Sequence, residues 1–154
     1  MGTQHMVSIK RREHGAAAIE FALLIVFLLI IVTGLIEFGK TFWYYDALVK
    51  STRDAARFLT DSRTTPPLAP SEGGRIALAK QIVVNAASAA NIPDFNTGHV
   101  AVECDPDCAA PNYVTVRINA YPVTIGGWVP VFTPNGTTSW TGSLSPYTTM
   151  RYMR

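Results

Sequence analysis

Between Ala16 and Ile36 the chain reads AAAIEFALLIVFLLIIVTGLI, apolar around any helix it forms and interrupted by a single charge, Glu20. A helix of about 21 residues rising 1.5 Å per residue spans roughly 32 Å, close to a bilayer hydrocarbon core. A helix packed in a globular core needs a polar face, and past Glu20 this run has none. The pattern therefore predicts a membrane-spanning helix. From Thr41 to Thr60 the periodicity changes: Phe42, Tyr45, Val49, Thr52, Ala56 and Leu59 recur at three- and four-residue steps, as on one helical face. Asp46–Lys50 and Lys50–Asp54 are opposite charges one turn apart, and Arg53 and Arg57 read as a solvated face. No proline interrupts residues 16–60. One continuous stalk helix is expected, with Gly34 and Gly39 as its points of bending.

The remainder reads as a small α+β domain. Pro66-Pro67, Pro70 and Gly73-Gly74 mark residues 61–74 as a loop. A second helix is expected over Arg75–Ala90, with Ile76, Ala79, Val83, Ala86, Ala87 and Ala90 inward, ending at Asn91-Ile-Pro93. Alternation predicts strands at Val100–Cys104 and Tyr113–Tyr121, the second placing Val114, Val116, Ile118 and Ala120 on one face. Thr124–Phe132 is a third strand or extended segment, loosened by Gly126-Gly127 and Pro130, and Tyr147–Met153 would close the sheet. The expected fold class is α+β, a long N-terminal transmembrane and stalk helix followed by a second helix and an antiparallel sheet. Residues 1–15 form a cytoplasmic leader, 16–40 the span and 41–154 the exported domain, with 41–60 continuing the stalk.

Charge sets the orientation. Lys10-Arg11-Arg12 precede the apolar run, so the positive-inside rule keeps the N-terminus cytoplasmic and exports the chain beyond the span. Phe42-Trp43-Tyr44-Tyr45 suits an aromatic belt at the far interface, where Lys40 can snorkel. A secretory signal carries its small-residue cleavage site after a shorter apolar centre. Here Gly15-Ala16-Ala17-Ala18 comes before the run, so a cut at Gly15 leaves the anchor on the protein. Either Met1 or Met6 as initiator keeps the basic leader. Glu20 then needs a partner or water, because a carboxylate in the apolar segment costs on the order of 3 kcal/mol. Proximity to the cytoplasmic edge supplies one answer. The other is an α-amino group on Ala16, four residues away, created by cleavage after Gly15.

Gly15-Ala-Ala-Ala-Ile-Glu20-Phe21, after a basic leader and before a long apolar run, resembles the type IV prepilin processing site. The wider stretch, with Ala18-Ile19-Glu20-Phe21-Ala22, Ile36-Glu37-Phe38-Gly39 and Arg53-Asp54-Ala-Ala-Arg57-Phe58, resembles the TadE-like proteins of the tight-adherence (Flp, type IVc) pilus system over about residues 11–60. The resemblance implies cleavage between Gly15 and Ala16 by a prepilin peptidase, with Glu20 and the neighbouring Phe21 acting in subunit assembly. It also implies other pilins or pseudopilins and the tight-adherence inner-membrane platform as partners, with the lipid bilayer as the initial environment. Phe21 stands where the main Flp pilin usually has tyrosine, and this chain is much longer than that pilin. Both point to a minor pilin or pseudopilin, first anchored in the inner membrane with its C-terminal domain periplasmic and then entering or priming the pilus. The alternative is an uncleaved single-pass membrane protein with a periplasmic interaction domain.

Composition narrows the remaining classes. The chain has 154 residues, 16% of them charged, and a net charge of +2. With its basic residues dispersed beyond the leader and no basic–aromatic interleaving, it is not expected to bind nucleic acid. The two cysteines, Cys104 and Cys108, bracket Cys-Asp-Pro-Asp-Cys between two strands, and an even count in an exported domain predicts a disulfide locking the hairpin tip. Their spacing suits neither a four-ligand metal site nor Cys-x-x-Cys redox chemistry. Glu103, Asp105 and Asp107 could offer oxygen ligands to calcium, but a polar turn explains them, since the extended ligand pattern of a calcium loop is missing. His5 and His14 lie in the leader and His99 stands alone. No catalytic constellation, metal or cofactor is expected, and the protein is read as a non-enzyme.

Overall fold

A computed structural model describes residues 10–61, 69–70, 74–126 and 139–153, with the side chains of residues 10–14 outside the description. The order is α1 (Lys10–Thr60), α2 (Arg75–Ala89), a short 3-10 turn (Thr97–His99), β1 (Val100–Asp105), β2 (Tyr113–Ile118), β3 (Tyr121–Ile125), β4 (Trp140–Leu144) and β5 (Tyr147–Arg151). The architecture is α+β, with one very long N-terminal helix, a second helix and antiparallel sheets.

Helix α1 runs through Gly34 and Gly39 without a break, and nothing stands within 4 Å of where a Cβ on either would lie. It has two physical regimes. Among the described residues, Ile19 to Val32 are exposed around the full circumference, in a window of mean hydropathy 2.9. The helix is long and apolar enough to cross a membrane. Thr33, the hydroxyl in this stretch, donates to the Leu29 carbonyl at 2.8 Å and so keeps its polarity within the helix.

The C-terminal half buries a face made by Tyr44, Leu48, Ser51, Thr52, Ala55, Ala56, Leu59 and Thr60. This corrects the expected face. Thr52, Ala56 and Leu59 belong to it, whereas Phe42 and Tyr45 are 65% and 45% exposed. The small side chains decide the rotation, because Ser51, Ala55 and Ala56 let α2 and the sheet approach the stalk closely where bulky rings would hold them apart. Phe42, Trp43 and Tyr45 consequently point outward. The alanine-rich face of α2 contributes buried Ala79, Val83 and Ala87, while the expected inward residues Ile76, Ala86 and Ala90 are only half-buried.

Three strands form an antiparallel sheet ordered β1-β2-β5, with Val102 opposite Val116 and Val116 opposite Thr148. Val100, Val114, Val116 and Ile118 complete the core with Leu48, Leu59 and Val83. Thr52 shares a 3.1 Å hydrogen bond with Thr148, satisfying a hydroxyl buried at the helix–sheet seam.

The expected strand Tyr113–Tyr121 is two strands. The amide of Asn119 donates to the His99 carbonyl, Ala120 takes a left-handed φ of 35°, and Tyr121 opens β3 in a separate two-stranded sheet with β4. Ala120 is exposed instead of sharing the core face. The third strand therefore starts at Tyr121 and ends at Ile125, and residues 127–132 of the expected segment lie outside the described residues. Strand β4 escapes a reading by alternation because Gly142 interrupts it. A Cβ at that position would stand 2.9 Å from the Trp140 ring, so the glycine makes room for the indole. The closing strand, expected at Tyr147–Met153, pairs with β2 over Tyr147–Arg151.

Candidate functional site: the helical segment and the cleft beside it

Gly15, Ala16, Glu20 and Phe21 all lie on the exposed N-terminal half of α1. The helix begins at Lys10, so the Gly15–Ala16 bond sits within helical turns. Glycine there costs about 1 kcal/mol of helix stability relative to alanine, which makes this turn easier to unwind than its alanine neighbours. Glu20 and Phe21 occupy successive positions on a surface that is exposed among the described residues. Phe21 is 65% exposed, flanked by Ile19 and Leu23. An apolar rod bearing one carboxylate near its start can be held by lipid or by like helices, and offers no chemistry of its own.

Residues 15–57 match the family model of TadE-like proteins. This segment is TadE-like. The match begins at Gly15 and stops in the last turn of α1, leaving α2 and both sheets outside it. No curated protein and no solved structure matches the chain. The TadE-like segment coincides with the single helix long and apolar enough to serve as a membrane anchor among the described residues.

Where the TadE-like segment leaves its apolar stretch, it meets the globular part. The Glu37 carboxylate accepts the backbone N–H of Gly126 at the end of β3. One to two turns on, the Tyr44 hydroxyl donates to the Asn91 carbonyl at 3.1 Å, and Tyr121 donates to the Pro93 carbonyl. Between these ties lies a cleft of about 440 Å³, bounded by α1 from Glu37 to Tyr44, by Pro93, Asp94 and His99, and by β3 from Tyr121 to Thr124. Phe95 stacks on His99, and Tyr121 meets both rings tilted or edge-on, at centroid distances of 5.3 to 5.5 Å, to hold one wall. His99 Nδ1 accepts the Asn96 backbone N–H at 3.3 Å. Burial of the Tyr121 phenol, then the electrostatic influence of the neighbouring Tyr44 and Asp94, raise its pKa above the ordinary 10.0.

The other end of α1 is closed by a residue that sequence periodicity does not mark. Arg75 is buried, and its Nη2 donates to the carbonyls of Phe58 at 2.6 Å, Asp61 at 3.2 Å and Leu59 at 3.4 Å. Its guanidinium also lies 5.4 Å from the Phe58 ring centroid. A cation at a helix C-terminus meets both the orphan carbonyls and the negative end of the dipole. The one available signal was Gly74, whose left-handed φ of 68° turns the chain into α2 directly before Arg75.

Cys104 and Cys108 form a disulfide with Cα atoms 5.0 Å apart at the tip of the β1–β2 hairpin. The acids around it are engaged locally. Glu103 pairs with Arg117 across the strands at 3.1 Å, and the Asp107 carboxylate accepts the N–H groups of Ala109 and Ala110 at 2.8 Å each. That arrangement is an Asx-type turn closing the loop.

Proposed function

We propose that this protein is a minor pilin or pseudopilin of a tight-adherence pilus, cut after Gly15 by a prepilin peptidase and then taking part in assembly or priming of the fibre. The observation that carries this reading is a coincidence of boundaries. The TadE-like match starts at Gly15, and from there to Val32 the helix is exposed among the described residues and apolar apart from Glu20. Such a surface is stable only in lipid or against other helices, so one helix can anchor the subunit first and pack in a bundle later without meeting water. In this reading the basic leader is cytoplasmic, the span lies in the inner membrane and the α+β part is periplasmic. The partners are the peptidase, other pilins and the inner-membrane platform. The role is mechanical, with no catalytic step.

The uncleaved single-pass protein is the second reading. It draws support from α1 itself, which is helical from Lys10 and therefore continuous across the proposed cut. The mass of the protein from cells with and without the prepilin peptidase separates the two. Loss of residues 1–15 only when the peptidase is present supports processing, and an intact leader in piliated cells overturns it.

A further inference from the structure

The cleft beside the stalk has a fixed height on the helix. Glu20 and Glu37 bound a stretch without charge, about 26 Å long at 1.5 Å per residue. Glu37 and Lys40 are thus the first charges beyond the apolar run, where hydrocarbon gives way to a headgroup layer about 5–7 Å thick in each leaflet. The cleft wall from Glu37 to Tyr44 covers about 10 Å of helix axis and so starts in that layer. Phe38, Phe42 and Trp43, each more than 60% exposed, surround the same turns as interfacial aromatics.

The cleft also combines opposite charges. Lys40, whose ammonium lies 5.6 Å from the Tyr44 ring centroid, supplies a cation on the helix side. Asp94 supplies a carboxylate from the opposite wall, in a left-handed backbone conformation of φ 53° that few residue types adopt. His99, whose Nδ1 accepts the Asn96 backbone N–H, adds an imidazole ring to the lining. A volume of about 440 Å³ falls within the usual range of small-molecule sites.

Resting on the membrane-anchored reading, we propose that this cleft binds the headgroup of a phosphoethanolamine lipid, with the phosphate at Lys40 and the primary ammonium at Asp94. The lining carries two carboxylates, Glu37 and Asp94, beside Lys40; the Glu37 carboxylate already accepts the Gly126 N–H, so Lys40 and Asp94 are the pair that a zwitterion matches. A choline head lacks the N–H donors that a carboxylate needs, and a glycerol head lacks the cation. The bound lipid would fix the tilt of the α+β part against the bilayer.

The test uses the full chain reconstituted in vesicles of equal phosphatidylethanolamine, phosphatidylcholine and phosphatidylglycerol, released in mild detergent and weighed by native mass spectrometry. One phosphatidylethanolamine should be retained about fivefold over phosphatidylcholine, the selectivity that one additional hydrogen bond supplies. Asp94→Asn keeps a side chain that tolerates the left-handed backbone, and it should abolish the preference. Lys40→Gln should weaken retention, and Lys50→Gln, outside the cleft, should change neither. Equal retention of all three lipids, or an unchanged preference in both cleft variants, overturns the proposal. Displacement by water-soluble glycerophosphoethanolamine as effectively as by lipid overturns the lipid as the source. If alkaline carbonate strips the chain from the vesicles, the membrane reading itself fails and takes the proposal with it, whereas retention without selectivity removes only the proposal.

Discussion

Replacing Arg75 with methionine isolates the cap on the stalk. Methionine keeps an unbranched apolar side chain against Phe58 but removes every donor to the carbonyls of Phe58, Leu59 and Asp61. A hydrogen bond from a charged donor contributes about 1.5–3 kcal/mol. Only the bond to Phe58 is short, at 2.6 Å; those to Asp61 and Leu59, at 3.2 and 3.4 Å, are longer and weaker. The freed carbonyls at the helix end regain part of the loss through water. Adding the interaction with the helix dipole, the expected cost is about 2–4 kcal/mol. That is a large share of the 5–15 kcal/mol typical of a whole domain. It corresponds to a fall in Tm of roughly 8–16 °C, at about 4 °C per kcal/mol for a domain near 110 residues. The assay is thermal unfolding of the full chain in detergent, followed by near-ultraviolet circular dichroism, which reports the packed tyrosines and not the helix in the micelle. Arg75→Lys should recover less than half of the loss, because one ammonium cannot span three carbonyls. A cost below about 0.5 kcal/mol for Arg75→Met, the level of an ordinary surface change, would refute the capping argument.

The remaining sites carry their own expected outcomes. A bulky residue in place of Gly15 should leave the precursor uncut at unchanged membrane level, visible as a protein heavier by residues 1–15. Glu20→Leu and Glu20→Gln should both preserve cleavage but reduce surface pili at matched abundance. Two opposite charges about 4 Å apart gain roughly 4 kcal/mol at an effective dielectric of about 20, before desolvation, and the neutral variants lose it. Wild-type piliation in both would leave Glu20 without an assembly role. Thiol alkylation of denatured, unreduced protein should label neither Cys104 nor Cys108; labelling of both would remove the covalent lock on the hairpin tip. For Tyr121, whose folded pKa is raised, the unfolded chain loses its proton first as pH climbs past 10.0. The resulting stability is therefore complete below that pH and disappears as pH rises through the folded value, and Tyr121→Phe should flatten the decline in Tm on that alkaline limb.

The apolar run, the proline-free stalk, the basic leader and the Cys-x-x-x-Cys turn are local properties, so sequence alone determined the long helix, the α+β class and the disulfide. An amino acid's fit to lipid depends on what it is, and not on what folds against it. The burial face of the stalk needed the tertiary structure. Phe42 and Tyr45 follow helical spacing as well as Tyr44 and Leu48 do, and only the packing of α2 and the sheet against the stalk selects the second set. Strand limits were decided the same way: alternation runs on through Ala120, but the Asn119 amide bonds to His99 and the chain leaves the sheet. Periodicity places Arg75 only as the first residue of the second helix, and its role follows from the end of α1 lying beside it. The cleft needs three segments far apart in sequence, Glu37 to Tyr44, Pro93 to His99 and Tyr121 to Thr124, and no periodicity within any of them encodes their meeting. Patterning specifies which surface avoids water, whereas long-range packing chooses which of several apolar surfaces meets which.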